Sequence, residues 1–413
     1  MKHNIYLKIG SIVMIALLLL IPAFMISGLI SERESTQSRA ILEVSSKWGG
    51  QQTLTGPFIS IPYYRYVRET VGKDSAGRLV QVKDYIHILP DKLDIAGEIS
   101  PQKRERGIYE IVVYDSKLNF SGTFQKLDFG ALDFRPQNIQ FDKAEFVLGI
   151  PDLRGIEKQI SLQWNDAQVS FNPGVSSTDV VNSGINARVI VSDSDSLTYR
   201  FSFSLDLKGS QLLYFTPMGK ETDITMHSGW ANPSFNGAFL PDSREISAAG
   251  FNANWNVLHL NRNFPQIWSG ARYNTTESAF GVDLLLPVDN YQKSHRSIRY
   301  AILFIGFTFL VFFFIEVLNK IFIHPVQYIL VGIALIVFFT LLLALSEHIL
   351  FNPAYISSAL ATLLLIAGYI RAILKSWKLT GLITGILTVL YSFIFVIIQL
   401  QDYALLIASI RVF

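Results

Sequence analysis

Four long apolar runs fill the C-terminal part of the chain, and the few charged residues there lie at the breaks between runs. The runs cover residues 300–318, 326–345, 354–370 and 379–400. A helix of about 20 apolar residues spans a hydrocarbon core about 30 Å thick. A soluble domain that buried four such helices in series would be far larger than this chain. The pattern therefore predicts four membrane helices, followed by a short fifth helical piece after Asp402.

The N-terminal segment also has the composition of a membrane span. A basic start is followed by an apolar run from Ile9 to Ile30, which is long enough to cross a bilayer. Met25-Ile26-Ser27 lacks the small residue expected three positions before a signal-peptide cut. Residues 1–30 are therefore predicted to be an uncleaved transmembrane anchor.

A second, amphipathic helix is predicted directly after the anchor. Ser31 and Glu34 fit a capping box, with Ser31 as the N-cap. The apolar residues that follow share one helical face, and they are Ala40, Ile41, Val44 and Trp48. Residues 31–48 are therefore expected to form a linker helix that packs on the next domain.

Residues 49–297 change to short apolar segments separated by Gly, Pro and Asn turns. The clearest strand is 201–207, where apolar and polar residues alternate strictly, as on a strand with one buried face. Other short segments rich in β-branched and aromatic residues are 58–63, 80–88, 109–114, 118–124, 145–150, 161–171, 187–192, 254–260 and 281–287. We predict a large antiparallel β-sandwich-like domain at 49–297 and a helical bundle at 298–413. The fold class is therefore a membrane protein of α + all-β type.

Composition excludes several classes of function. The chain has no cysteine, which excludes disulfides, zinc–thiolate sites and cysteine nucleophiles. A formal net charge of +2 indicates no nucleic-acid-binding surface. There is no P-loop, serine-hydrolase elbow, HExxH zinc motif or dinucleotide-binding glycine pattern. We expect no metal, no cofactor and no catalytic residue, so the protein is not expected to be an enzyme.

Charge predicts the orientation in the membrane. Lys2 and Lys8 place the N-terminus in the cytoplasm, so the large domain lies outside. The breaks that then become cytoplasmic carry the basic residues Lys320, Arg371, Lys375 and Lys378. The predicted external loops, 346–353 and 399–402, carry no Lys or Arg. This distribution agrees with the positive-inside rule. Arg296 and Arg299 are local exceptions, because they lie at the predicted external end of a membrane helix.

Several stretches resemble the CreD family of inner-membrane proteins linked to tolerance of colicin E2. They are LEVS at 42–45, WG at 48–49, LTGP at 54–57, IPY at 61–63, SGWANPSFNG at 228–237, FLP at 239–241, VDNYQ at 288–292, RYA at 299–301, HPVQY at 324–328, LSEH at 345–348 and QLQDYALL at 399–406. The resemblance covers nearly the whole chain in order. It implies one anchor helix, a periplasmic β domain and a C-terminal bundle in a bacterial inner membrane. It also implies a role in envelope homeostasis under a two-component system that responds to β-lactam stress.

The last segment departs from the family pattern. Residues 403–413 would span only about 16 Å as a helix, half of a bilayer. Family members usually continue through a full last helix, so the usual helix count is in doubt here. Whether this piece crosses the membrane is left open by the sequence.

Polar residues at the membrane edge form one candidate site. Glu347 and His348 close one predicted helix on the external side, and Gln399 and Asp402 lie at another external break. Glu316 lies about one turn inside the opposite, cytoplasmic end of its helix. Ionisable groups in membrane helices are functional candidates. The alternative is that these residues cap helices and bond to each other at the headgroup level.

An aromatic stretch in the β domain forms the other candidate. Trp230, Phe235 and Phe239 lie among Gly and Pro residues, and their rings could stack on a sugar. The alternative is that they fill the core of the sandwich or close its end.

The leading hypothesis is a non-enzymatic envelope protein whose periplasmic domain binds an envelope protein or a cell-wall glycan. The other partner is the lipid bilayer, and the oligomeric state is left open. A second hypothesis is a carrier or channel that uses Glu316, Glu347 and Asp402. A third is an intramembrane enzyme that acts on a lipid-linked substrate through Glu347 and His348.

Overall fold

The computed structural model describes residues 5–69, 78–125, 129, 132, 138–192, 198–286 and 290–411. The chain divides into two compact units. The membrane unit comprises Met1–Arg39 and Val288–Phe413, and the β unit comprises Ala40–Pro287. The β unit is therefore an insertion in sequence between the first membrane span and the rest.

Six helices are described: α1 Ile5–Trp48, α2 Asn290–Arg299, α3 Ala301–Asn319, α4 Pro325–Ile349, α5 Phe351–Leu374 and α6 Trp377–Arg411. Five of them, α1 and α3 to α6, are long and apolar enough to cross a membrane. The N-terminal span and the four C-terminal spans expected from the apolar runs are therefore present. The short polar helix α2, which precedes α3, had no counterpart in the sequence-based prediction.

Two predicted helix breaks are absent. α1 continues through Ser31, so Ser31 is not an N-cap and the linker helix is the second half of α1. Glu32, Arg33 and Glu34 are good helix formers, and each residue added to an existing helix costs little. In the same way, α6 continues through Asp402 to Arg411, so the predicted fifth piece is not a separate helix.

The β unit contains seventeen described strands. They are β1 Gln52–Glu69, β2 Arg78–Ile88, β3 Lys92–Arg106, β4 Tyr109–Phe124, β5 Glu145–Gly149, β6 Ser161–Trp164, β7 Ala167–Ser170, β8 Asn172–Pro173, β9 Gly184–Arg188, β10 Tyr199–Ser210, β11 Leu212–Thr216, β12 Glu221–Ser228, β13 Pro233–Gly237, β14 Ser243–Ser247, β15 Gly250–Leu258, β16 Ile267–Ser269 and β17 Phe280–Leu284.

The strands form two mixed sheets. The first has the order β13-β17-β11-β1-β5-β9-β8, with β2 paired to β1 and β16 paired to β2. The second has the order β14-β15-β12-β3-β4-β10-β6-β7. The predicted antiparallel arrangement holds for the other described strand pairs, whereas β1 is parallel to β11 and β3 is parallel to β12. Alternating polarity predicts a strand and its buried face, but it does not predict the direction of the partner.

Aromatic residues from both sheets fill the core. Phe146 of β5 is fully buried, and its ring contacts those of Phe201 and Phe203 on β10 at 5.1 and 5.9 Å. Along β10, buried residues alternate with residues that are exposed or partly exposed, as the 201–207 pattern predicts. The hydrophobic faces of the strands therefore meet in one continuous core.

The last turn of α1 belongs to the β unit and is hydrogen-bonded to the turn that contains Asp152 and Arg154. Asp152 accepts hydrogen bonds from the Gly50 N–H at 2.8 Å and from the Arg154 guanidinium, also at 2.8 Å. Arg154 Nη1 then donates to the Ser46 carbonyl at 2.5 Å, one of the carbonyls that a helix end leaves without a partner. The hydrogen bond from Arg154 is the main cause that lowers the pKa of Asp152. These contacts fix the chain where the helix becomes β1.

Trp48 adds a second contact at the same junction. Its Nε1 donates to the Tyr114 carbonyl at 3.3 Å. Lys208 and Arg104 lie over its ring at 4.6 and 4.8 Å from the centroid, which is within cation–π range. The WG pair at 48–49 therefore marks the end of α1, shortly before β1 begins.

Candidate functional site

Glu316 lies buried near the C-terminal end of α3 and is fully partnered. It forms an ion pair with Lys8 of α1. It also accepts hydrogen bonds from the Tyr328 hydroxyl at 3.0 Å and from the Ile323 N–H at 3.2 Å. Lys8 in turn donates to the Ile323 carbonyl at 3.1 Å. This cluster joins α1, α3 and the start of α4 through a buried charge pair.

Glu347 lies in the last turn of α4 and contacts two other helices. Its Oε1 accepts from the Tyr291 hydroxyl of α2 at 3.2 Å and lies 3.6 Å from Arg33 Nε of α1. A further pair at this end of the unit joins Glu34 of α1 to His295 of α2 at 3.5 Å. α2 therefore supplies polar partners to α1 and α4.

Glu316 and Glu347 lie in separate clusters, as expected for residues predicted at opposite ends of the membrane helices. Tyr328, the partner of Glu316, and Glu347 are 19 residues apart on α4, which corresponds to about 28 Å of helix. Gln399 bonds to Asn352 at 2.5 Å. His348 is exposed. The side chain of Asp402 lies outside the described residues, and only its place within α6 is known.

The predicted aromatic surface is distributed between the core and its edge. Phe235 is 7% exposed, and its ring contacts Phe251 and Trp255. Phe239 packs edge-on against Phe280. The Trp230 indole N–H donates to the carbonyls of Asn232 and Leu285. Because the Phe235 ring is already enclosed by aromatic neighbours, it is not accessible to a sugar.

The structure brings together a Ser–His–Asp set that the sequence-based prediction missed. Ser60 Oγ lies 3.3 Å from His87 Nδ1, and His87 Nε2 lies 3.1 Å from Asp179 Oδ2. Ser60 and His87 are opposite each other in the β1–β2 pair, whereas Asp179 comes from a loop 92 residues further along. A predicted register for the β1–β2 pair could have placed Ser60 opposite His87. No local sequence pattern indicates that Asp179 joins them.

Burial decides what this set can do. Ser60 is 3% exposed and His87 is 1% exposed, and the imidazole lies between Phe58 and Trp268. Acyl transfer by such a set requires that a substrate carbonyl reach the serine oxygen. In this conformation Ser60 Oγ is enclosed, so the arrangement satisfies buried polar groups within the sheet. Such networks stabilise a fold when each member has a partner.

Comparison with known proteins identifies the family. A family model described as "Inner membrane protein CreD" matches residues 4–413. The chain belongs to the CreD family. The inner membrane protein CreD of Escherichia coli (strain K12) is 32% identical over 415 aligned residues, which cover 99% of this chain and 90% of that protein. With five candidate spans, this CreD-family member is a multi-pass inner-membrane protein.

Solved structures add no argument about the CreD family's activity. An M1 zinc metallopeptidase from Deinococcus radiodurans aligns over 44% of this chain and 42% of its own, at 9% identity and a TM-score of 0.21. A putative protease from Parabacteroides distasonis aligns over 61% of this chain and 50% of its own, at 10% identity and a TM-score of 0.23. Scores this low carry no conclusion about fold or function.

The His87–Asp179 pair of this CreD-family chain predicts a pH-dependent stability. The hydrogen bond from His87 is the main cause that lowers the pKa of Asp179. A lowered folded-state pKa contributes stability above the unfolded value of about 3.9, and that contribution is lost as the pH falls through the folded-state pKa. We expect Asp179→Asn to cost about 1–2 kcal/mol at pH 7 and progressively less as the pH falls below about 3.9. Urea unfolding at several pH values measures the difference, and a pH-independent cost would contradict it.

Proposed function

We propose that this protein is a membrane-tethered binding protein of the bacterial envelope, and that its β unit lies on the periplasmic side and acts without catalysis. The observation that carries the proposal is the place of the β unit in the chain. α1 leads into it, and α2 and α3 follow it, so membrane spans flank both of its ends. A domain tethered at both ends remains near the bilayer, where it can bind an envelope protein or a cell-wall glycan.

The orientation is supported by the basic residues at the helix ends. Lys8 lies near the start of α1, Lys320 lies between α3 and α4, and Lys375 lies between α5 and α6. The connection between α4 and α5 is the single residue Leu350, which carries no charge. Alternation of the spans puts the basic residues on one side, and the positive-inside rule makes that side cytoplasmic.

Cysteine labelling tests this orientation directly, because the natural chain has no cysteine. Asp166 is exposed in the turn between β6 and β7, and Lys378 is exposed at the start of α6. We expect Asp166→Cys to react with a membrane-impermeant maleimide in intact spheroplasts. Lys378→Cys should react only after the membrane is permeabilised.

The two variants are matched controls for each other, since both expose one thiol on the same cysteine-free background. The unsubstituted chain reports non-specific labelling. If Lys378→Cys is labelled in intact spheroplasts while Asp166→Cys is protected, the β unit is cytoplasmic and the proposal fails.

The role in envelope homeostasis is what the family resemblance implies, including the response to β-lactams and tolerance of colicin E2. Deletion of the gene should change susceptibility to one of these challenges, and the intact chain should restore it. Because we propose binding and not catalysis, Ser60→Ala should restore it to within about twofold of the unsubstituted chain. Loss of complementation by Ser60→Ala at normal membrane levels would instead indicate a catalytic serine.

The carrier or channel hypothesis is less well supported by the geometry. Glu316 is bonded within one cluster of the membrane unit and Glu347 within another, about 28 Å further along α4. Both carboxylates are already bonded to side chains from other helices. The binding function is therefore the one that we propose.

A further inference from the structure

A polar cavity of about 390 Å³ lies in the β unit, where β1 and β2 meet the turn after β16. Tyr63, Arg65, Asp84 and Arg272 form much of its wall, together with backbone of that turn. Its volume falls within the range of about 300–1,000 Å³ found for small-molecule sites. None of the candidate site residues predicted from the sequence lies in this wall.

Regular backbone bonds hold the wall in place. The β1–β2 register puts Tyr63 opposite Asp84, and Arg65 follows two residues later on the same face of β1. In the turn after β16, the Gly270 N–H donates to the Tyr85 carbonyl at 3.1 Å, and the Arg272 N–H donates to Gly270 at 3.0 Å. Gly270 has φ +68°, in the left-handed region that favours glycine.

Asp84 orients one of the two guanidinium groups. Its Oδ2 accepts from Arg65 Nε at 3.1 Å and from the Tyr63 hydroxyl at 3.4 Å, while Oδ1 accepts from the Tyr85 N–H. Arg65 therefore uses Nε inside the protein, and among the described residues its two Nη groups have no acceptor. A guanidinium held in this way presents a planar pair of donors, the geometry that binds a carboxylate with two parallel hydrogen bonds.

Tyr63 forms the buried part of the same wall. The residue is only 1% exposed. Burial is the main cause that raises the pKa of its phenol, so the hydroxyl remains a hydrogen-bond donor at neutral pH. A buried polar group of this kind fixes the position of Asp84 and, through it, that of Arg65.

The charged groups of the wall favour one kind of anion. Among the described residues, the wall carries the guanidinium groups of Arg65 and Arg272 and the carboxylate of Asp84. A planar, singly charged anion matches the two Nη donors of Arg65. A phosphate dianion would add a second negative charge close to Asp84, and like charges at such distances repel each other.

We propose that this cavity binds the carboxylate of a small ligand, with Arg65 as the bidentate partner and Arg272 as the second cation. This proposal gives a ligand class for the binding function proposed above. It rests on that function only for the role of the ligand in the cell, because binding itself is measured on the purified protein. The site itself lies wholly within the β unit.

Calorimetric titration of the full-length protein in detergent tests the site. The probes are N-acetyl-glycyl-glycine, which ends in a carboxylate, and its C-terminal amide, which has nearly the same size. We expect saturable binding of the acid with one site per chain, and binding of the amide at least tenfold weaker. Arg65→Gln should weaken binding of the acid tenfold or more, and Arg272→Gln several-fold.

Lys83→Gln is the matched control, since it removes one positive charge from an exposed residue next to Asp84 that is not in the cavity wall. It should retain the affinity of the unsubstituted protein. Arg272 is in an exposed turn, so its variant serves if Arg65→Gln unfolds the domain. Equal binding of acid and amide, no saturable binding of the acid at millimolar concentration, or unchanged affinity in the Arg variants would overturn the proposal.

Inorganic phosphate provides the remaining comparison. Displacement of the acid by an equal concentration of phosphate would overturn the assignment to a carboxylate. None of these results would alter the labelling or complementation experiments. A result that rules out carboxylate binding in the cavity can therefore be distinguished from a result that rules out the tethered binding function.

Discussion

Replacing Glu316 by Ala should lower the free energy of unfolding of the membrane unit by about 3–5 kcal/mol. Lys8 and Glu316 form a pair in which the Glu316 side chain is 8% exposed. Removing one partner leaves the other charge in an apolar environment, and the Tyr328 hydroxyl also loses its acceptor. The cost should appear in unfolding by sodium dodecyl sulfate from mixed micelles, followed by circular dichroism.

A double-variant cycle separates the pair from its neighbours. Replacing both charges by apolar residues, as in Lys8→Met with Glu316→Leu, should recover most of the lost stability, because a removed pair leaves no unpaired charge. Lys320 is an exposed residue at the same end of α3. The control variant Lys320→Gln should therefore change the free energy of unfolding by less than about 0.5 kcal/mol. A loss of less than about 1 kcal/mol for Glu316→Ala would mean that water or lipid headgroups solvate the pair.

Replacing Asp152 by Ala should destabilise the β unit by about 2–3 kcal/mol. The carboxylate accepts from the Gly50 N–H and from the Arg154 guanidinium, and Arg154 in turn bonds to Ser46 at the end of α1. Its removal therefore releases the last turn of the helix from β1 and from the 3₁₀ turn Leu153–Gly155. Urea unfolding monitored by tryptophan fluorescence measures the loss, and Trp48 itself reports on the junction.

Asp166→Ala is the control for this variant, because Asp166 is an exposed aspartate in a turn of the same unit. It should change the unfolding free energy by less than about 0.5 kcal/mol. Asp152→Asn keeps an acceptor for Gly50 but loses the charged pair with Arg154, so its cost should be intermediate. Equal stability of Asp152→Ala and the unsubstituted chain would show that the Asp152 carboxylate does not stabilise the junction.

Local patterns predicted the elements better than their ends. The apolar runs correctly indicated five spans, because the requirement to bury a helix in lipid is a property of each segment by itself. The predicted helix breaks at Ser31 and Asp402 are wrong, because the end of a helix is not decided by its local sequence alone. A capping signal competes with the small cost of continuing a helix, and in both places the helix continued.

The candidate sites were less predictable than the fold. Glu316 and Glu347 were identified because charges in apolar runs are conspicuous, yet their partners Lys8, Arg33 and Tyr291 come from distant parts of the chain. Phe235 was identified from an aromatic-rich stretch, and its ring lies in the core. Residue type indicated that these positions mattered, whereas the packing of other elements decided what they contact.

The sequence by itself determined the positions of the five candidate spans, the β-rich character of the inserted unit and the inward face of strands such as β10. These features depend on the periodicity of neighbouring residues, which is written in the chain locally. Only the tertiary structure decided the parallel pairing of β1 with β11, the Ser60–His87–Asp179 network and the cavity at Arg65. Each of these joins segments far apart in sequence, and such pairings are selected by the packing of the whole core.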